Sequence, residues 1–175
     1  MIMDATRQSG MIRTSLLAAV LLAAAAWMPS PARAGGGSTG AGSDALFPQV
    51  ALQYERVRLA LVADDLEAAR EPARRIAGIV RSWARSGDAQ GERPRLLVIE
   101  RAATELAASR TLGDAREAFW KLSQPMVAWR ASLKDGGPAI AYCPMIKRKW
   151  LQPIGPIGNP YAGHHMAGCG EFVNK

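Results

Sequence analysis

Cysteine is nearly missing from this chain: two in 175 residues rule out a disulfide-dense miniprotein. Aromatic residues are scarce at 6%, so any core must rest on Leu, Val, Ile and Ala, a composition that leans toward helix. A Gly-rich phosphate loop with its Lys, H-E-x-x-H and C-x-x-C are all missing, which leaves the common nucleotide, zinc-protease and dithiol-enzyme signatures without support. A Cys143–His164 nucleophile pair lacks an obvious orienting acid, so the chain is read as a non-enzyme. What remains, with 49% apolar residues and mixed charge, is a chain of the size of one globular domain.

The one long apolar run lies near the start. Arg13 precedes Leu16 to Met28, which ends in Pro29 and Pro31 and then Ala32-Arg33-Ala34. That order predicts a secretory signal peptide over residues 1–34, cut after Ala34, because the run is too short for a permanent span and small residues sit where the processing enzyme needs them. Translation from Met11 gives a compact basic leader without Asp4, and Met1 and Met11 both stand as starts. The expected product is periplasmic and soluble after cleavage, with no membrane insertion. Cleavage removes Arg7, Arg13, Arg33 and Asp4, a net loss of two positive charges that takes the formal charge from +7 to +5. The remaining charges are interleaved along helical segments without a basic stripe, so no nucleic-acid partner is expected.

Residues 35–43, GGGSTGAGS at Gly35 to Ser43, read as a flexible leader, and residues 44–137 as a helical bundle. Phe47, Val50, Tyr54, Val57 and Leu61 recur at steps of three and four, predicting a first helix that ends near Ala63. Asp64 and Glu67 form a D-x-x-E capping signal for a second helix carrying Leu66, Ala69, Ala73, Ile76, Val80 and Trp83, kinked or started by Pro72. After a polar connection, Pro94 opens a third helix with Leu96, Ile99, Ala103 and Leu106 inward. Asp114 and Glu117 announce a fourth, with Phe119, Leu122, Met126, Trp129 and Leu133 as its stripe and Pro125 as a bend. Four such helices bury their stripes most simply as an up-and-down bundle: a mainly α fold with a short, irregular, β-containing tail docked on it. Trp83, Trp120 and Trp129 are expected at the core or its edge.

Residues 138–175 obey a different regime, with Pro144, Pro153, Pro156 and Pro160 and no helical period. Ala139 to Tyr142, Trp150 to Gln152 and Glu171 to Val173 suit brief strands, and so short a unit must dock on the bundle. Both cysteines and both histidines of the chain fall here with two methionines: Cys143, Met145, His164, His165, Met166 and Cys169. Two thiolates and two thioethers on Gly/Pro-shaped loops form a soft ligand set, suited to Cu(I) or Ag(I). His164 and His165 can add imidazole, but such a vicinal pair is more often a solvated loop pair than a ligand pair. Lys147 to Lys149 reads as a solvated turn, and Trp150 as a lid over the bundle edge or over a bound cation.

These tail motifs resemble a known family. YCPM at Tyr142 to Met145, WLQP at Trp150 to Pro153, NPY at Asn159 to Tyr161 and M-x-x-C-G at Met166 to Gly170 are similar to an uncharacterised family of exported bacterial domains. That family also forms the C-terminal part of periplasmic adaptor subunits of copper/silver efflux systems. The resemblance extends to VADDLEAA at Val62 to Ala69, and it implies a heavy-metal-associated role with an efflux or copper-handling partner protein. The tail is also similar to a short heavy-metal-binding segment that reads CPM and later C-P-x-C-G-M. Cys143 and Met145 match its first part and Cys169-Gly170 its last, while Met166 stands in place of a further cysteine and disfavours Zn(II).

A second reading of the pair stands beside the first. Two cysteines in an exported protein commonly join, and a Cys143–Cys169 disulfide would staple the tail by roughly 3 to 4 kcal/mol. The protein would then be a structural or interaction module without metal. Disulfide and metal thiolate exclude each other within one molecule.

Overall fold

Ala41–Val62 forms α1, Leu66–Ala84 α2, Arg93–Ala108 α3 and Leu112–Ser132 α4. The computed structural model describes residues 41–174, apart from 90 and 135. The predicted signal peptide and most of the predicted leader lie outside the described residues. The leader's last three residues, 41–43, belong to the backbone of α1, so the helix starts earlier than expected.

The apolar stripes face inward as their spacing requires. Phe47, Val50, Tyr54, Val57 and Leu61 of α1, Ala69, Ala73, Ile76 and Val80 of α2, Leu96, Ile99, Ala103 and Leu106 of α3, and Phe119, Leu122, Met126 and Trp129 of α4 are all buried in one cluster. Each helix packs on the one before it, and α4 closes on α1. With connections this short, that ring is an up-and-down bundle. Phe47 meets Trp129 edge to face at 5.2 Å between ring centres, closing the α1–α4 seam.

The caps differ in detail from those the sequence suggested. Asp64 does not cap α2; it adopts φ 58° and ends α1. The Asp65 N–H bonds Ala60 O at 2.9 Å and the Asp64 N–H bonds Leu61 O at 3.3 Å, the two bonds of a Schellman stop with Asp in the place usually held by Gly. Asp65 then caps α2, its carboxylate accepting from the Ala68 N–H at 2.9 Å. For α4 the cap is Thr111, which accepts from the Asp114 N–H at 3.1 Å, so Asp114 sits in the first turn. Leu133 lies just past the end of α4.

The tail forms an antiparallel sheet, β1 (Ala139–Cys143), β2 (Arg148–Gln152) and β3 (Glu171–Asn174), ordered β2-β1-β3. β2 lies against α4. Ile140, Ala141, Cys143, Trp150 and Leu151 belong to the same buried cluster as the helices. Trp150 is therefore no lid. It is fully buried, its indole N–H bonded to Gln152 Oε1 at 2.8 Å, because β2 needs an apolar face to dock. The Tyr54 hydroxyl joins the units, bonding Ser123 Oγ at 2.6 Å and accepting the Leu151 N–H at 3.3 Å. Burial pushes that phenol well above its ordinary pKa.

Arginines hold the irregular loops from the helix side. Arg58, paired with Glu55, donates to Gly158 O at 2.7 Å, and Arg116, paired with Asp64, donates to Pro160 O at 3.2 Å. Arg148, expected in a solvated turn, instead pairs with Glu117 at 2.7 Å and stacks over Trp120 at 4.8 Å and Tyr161 at 5.4 Å.

Asp64 makes this latch pH-sensitive. Partial desolvation pushes its carboxyl up, but the hydrogen bond and charge of Arg116, aided by His164, hold it below the usual range. The stabilisation is complete above the unfolded value of about 3.9 and is lost as pH falls through the lower folded value. Asp64→Asn, which tolerates the same backbone conformation, is expected to melt lower than the parent at neutral pH, with the gap closing in acid. A gap independent of pH between about 7 and about 2.5 contradicts this role for the ion pair.

Candidate metal centre

The turn from Cys143 to Arg148 builds half of the site. Pro144 has no N–H to offer, so the first free donors after Cys143 are those of Met145 and Ile146. The Lys147 N–H bonds Cys143 O at 2.8 Å, with Lys147 at φ 56°, and this closure curls the turn back on itself. The Met145 and Ile146 N–H groups lie close enough to the Cys143 sulfur to lower its pKa.

The second arm comes from the Gly/Pro loop. After a short 3-10 turn, Gly163–Met166, the Cys169 N–H bonds Met166 O at 2.9 Å. Asn159, fully buried, ties the arm down: its N–H bonds Ala167 O at 2.7 Å, its amide donates to Cys169 O at 3.0 Å, and its Oδ1 accepts the Tyr161 N–H at 2.9 Å. The same amide lies close enough to the Cys143 sulfur to help lower its pKa. One side chain thus touches both arms. The sequence offered it only as part of the NPY motif; an Asn before Pro in a Gly/Pro-rich loop was the available signal.

The two sulfurs meet. Cys143 is fully buried, Cys169 is half-buried, both are unlinked thiols, and they lie within hydrogen-bonding reach of each other. Burial pushes the Cys143 thiol up, but donation from Cys169, from the Ile146 and Met145 N–H groups and from Asn159 outweighs it, and the net shift is downward. The hydrogen bond with Cys143, then burial and the Cys143 charge, push Cys169 up against one opposing donation from Met145. The two thiols are thus shifted in opposite directions, each by the other as well as by its own surroundings.

The other predicted ligands are dispersed. Met145 serves through its backbone, and its side chain is 73% exposed; Met166 is half-buried and contributes its carbonyl to the turn. His164 and His165 are exposed, and His164 Nε2 lies 3.4 Å from Asp64 at the α1–α2 corner. Among the described residues no group of three or more His, Cys, Asp and Glu side chains gathers to hold an ion. An open apolar cavity of about 840 Å³ between Phe47, Leu52, Leu133 and Ile154 contains neither sulfur.

Two adjacent thiols fall short of the four ligands of a structural zinc site. No helix among the described residues is long and apolar enough to cross a membrane. No protein-family model, curated protein or solved structure matches the chain.

Proposed function

We propose that this is an exported, periplasmic heavy-metal-associated protein that binds Cu(I) or Ag(I) through Cys143 and Cys169, in resistance, delivery or sensing. The observation that carries the reading is the pair of unlinked thiols brought to the same end of β1 and β3, Cys143 buried and Cys169 half-buried. Met166 and Met145 are the nearest thioethers in sequence, available to complete or adjust the coordination. The tail's resemblance to domains of copper/silver efflux adaptors supports the same role, with an efflux or copper-handling protein as partner. Export rests on Leu16 to Met28 and Ala32 to Ala34, outside the described residues. No catalytic step is assigned to the pair.

Adjacency of the sulfurs equally favours the second reading, an interaction module stapled by a Cys143–Cys169 disulfide. Metal response separates the two. With the protein reduced, Cu(I) is expected to raise the melting temperature by mass action and Mg(II) to leave it unchanged, and the Cu(I) effect is expected to vanish in a Cys143→Ser/Cys169→Ser variant. A reduced protein that melts identically with and without Cu(I) favours the stapled module.

A further inference from the structure

We propose that Cys169 is the point at which a disulfide oxidant attacks this protein, and that Cys143 is the resolving thiol that closes the pair and shuts the metal site. The inference deepens the metal reading, since it concerns regulation of the same two sulfurs. It rests on unequal access and on placement. Tyr142 pairs with Glu171 across β1 and β3, which puts Cys143 and Cys169 at the same end of two adjacent strands. Cys143 is fully buried, whereas Cys169 is half-buried. An incoming disulfide therefore meets the Cys169 sulfur first.

The chemistry balances in two exchanges. In the first, Cys169, giving its proton to solvent, attacks the oxidant's disulfide; a Cys169–oxidant bond forms, the oxidant's S–S bond breaks and one oxidant thiolate leaves. In the second, Cys143, giving its proton to solvent, attacks the Cys169 sulfur; the Cys143–Cys169 bond forms, the Cys169–oxidant bond breaks and the second oxidant thiolate leaves. Two protein thiols are oxidised and one external disulfide is reduced. Both metal ligands are consumed, so oxidation releases a bound soft cation and a bound cation protects the thiols.

The probe is dithiobis(nitrobenzoate), an aromatic disulfide whose thiolate is coloured, applied to the reduced, folded protein. The wild type is expected to release two thiolates per chain, retain no adduct and lose two hydrogens by mass. Cys143→Ser is expected to release one thiolate and keep one adduct on Cys169, while Cys169→Ser reacts slowly. A wild type that keeps two adducts, or a Cys169→Ser variant that reacts faster than Cys143→Ser, overturns the proposal. Should either variant fail to fold, substoichiometric maleimide on the wild type gives the same answer by peptide mapping: label on Cys169 supports the order and label on Cys143 overturns it. Repeating the trap with glutathione disulfide and with an oxidised C-x-x-C protein identifies the source from the adduct on Cys169, and no adduct from either overturns a role for natural disulfides. Cu(I) retention on reduced and oxidised wild type keeps the two readings apart. Ordered exchange without retention by the reduced protein removes the metal reading alone, whereas retention by the reduced protein with two stable adducts removes the switch alone.

Discussion

Replacing Leu122 by aspartate is expected to leave no cooperatively folded protein. Leu122 is fully buried in α4, on the stripe shared with Phe119, Met126 and Trp129. The substitution forfeits the burial of an apolar side chain, about 2–5 kcal/mol, and sets an unpaired carboxylate in the core at a further cost of several kcal/mol. Together these rival the whole stability of an ordinary domain, about 5–15 kcal/mol. Leu97, 48% exposed on α3, is the control, where the same change should stay within roughly 0.5 kcal/mol. A Leu122→Asp variant that melts like the parent by circular dichroism contradicts the register of α4.

A methyl group added at Gly170 should disturb the Cys143–Cys169 pair directly. Gly170 has φ +149°, and a Cβ there would lie 2.6 Å from Trp150 Cη2 and 3.2 Å from the Tyr142 carbonyl oxygen. Trp150 is fully buried and anchored to Gln152, and Tyr142 is in the central strand, so neither retreats cheaply. Overpacking of about 1–3 kcal/mol adds to backbone strain of about 1–3 kcal/mol. Relief requires the 169–170 segment to move, which separates the Cys169 sulfur from Cys143. Gly170→Ala is therefore expected to lower both the melting temperature and Cu(I) retention. Gly168→Ala, two residues away with nothing within 4 Å of its new Cβ, should do neither. Equal behaviour of the two variants contradicts the contact of Gly170 with Trp150 as the feature that places Cys169.

The helices were legible because their information is local. A stripe such as Phe47, Val50, Tyr54, Val57 and Leu61 is written in consecutive turns, and its only outlet is a core. The caps were harder. At Asp64-Asp65 both residues satisfy the compositional signal, and only backbone geometry tells that the first stops α1 while the second starts α2. In the tail the strands were visible as short runs, but the fates of Arg148, Trp150 and Asn159 depend on what faces them across the fold: Glu117 and Trp120 on α4, the shared core, and two loops ten residues apart. The concentration of Cys, His and Met marked the region of the site. It could not tell that the cysteines converge while His164 goes to Asp64 and the Met145 side chain goes to solvent.

Competition with a Cu(I) chelator tests the central claim most directly, applied to the reduced protein and to the Cys143→Ser/Cys169→Ser variant under identical conditions. The expected result is retention of one Cu(I) per chain by the wild type and none by the variant. Equal retention by both proteins would take the cysteines out of the site, and retention by neither would contradict metal binding by this pair.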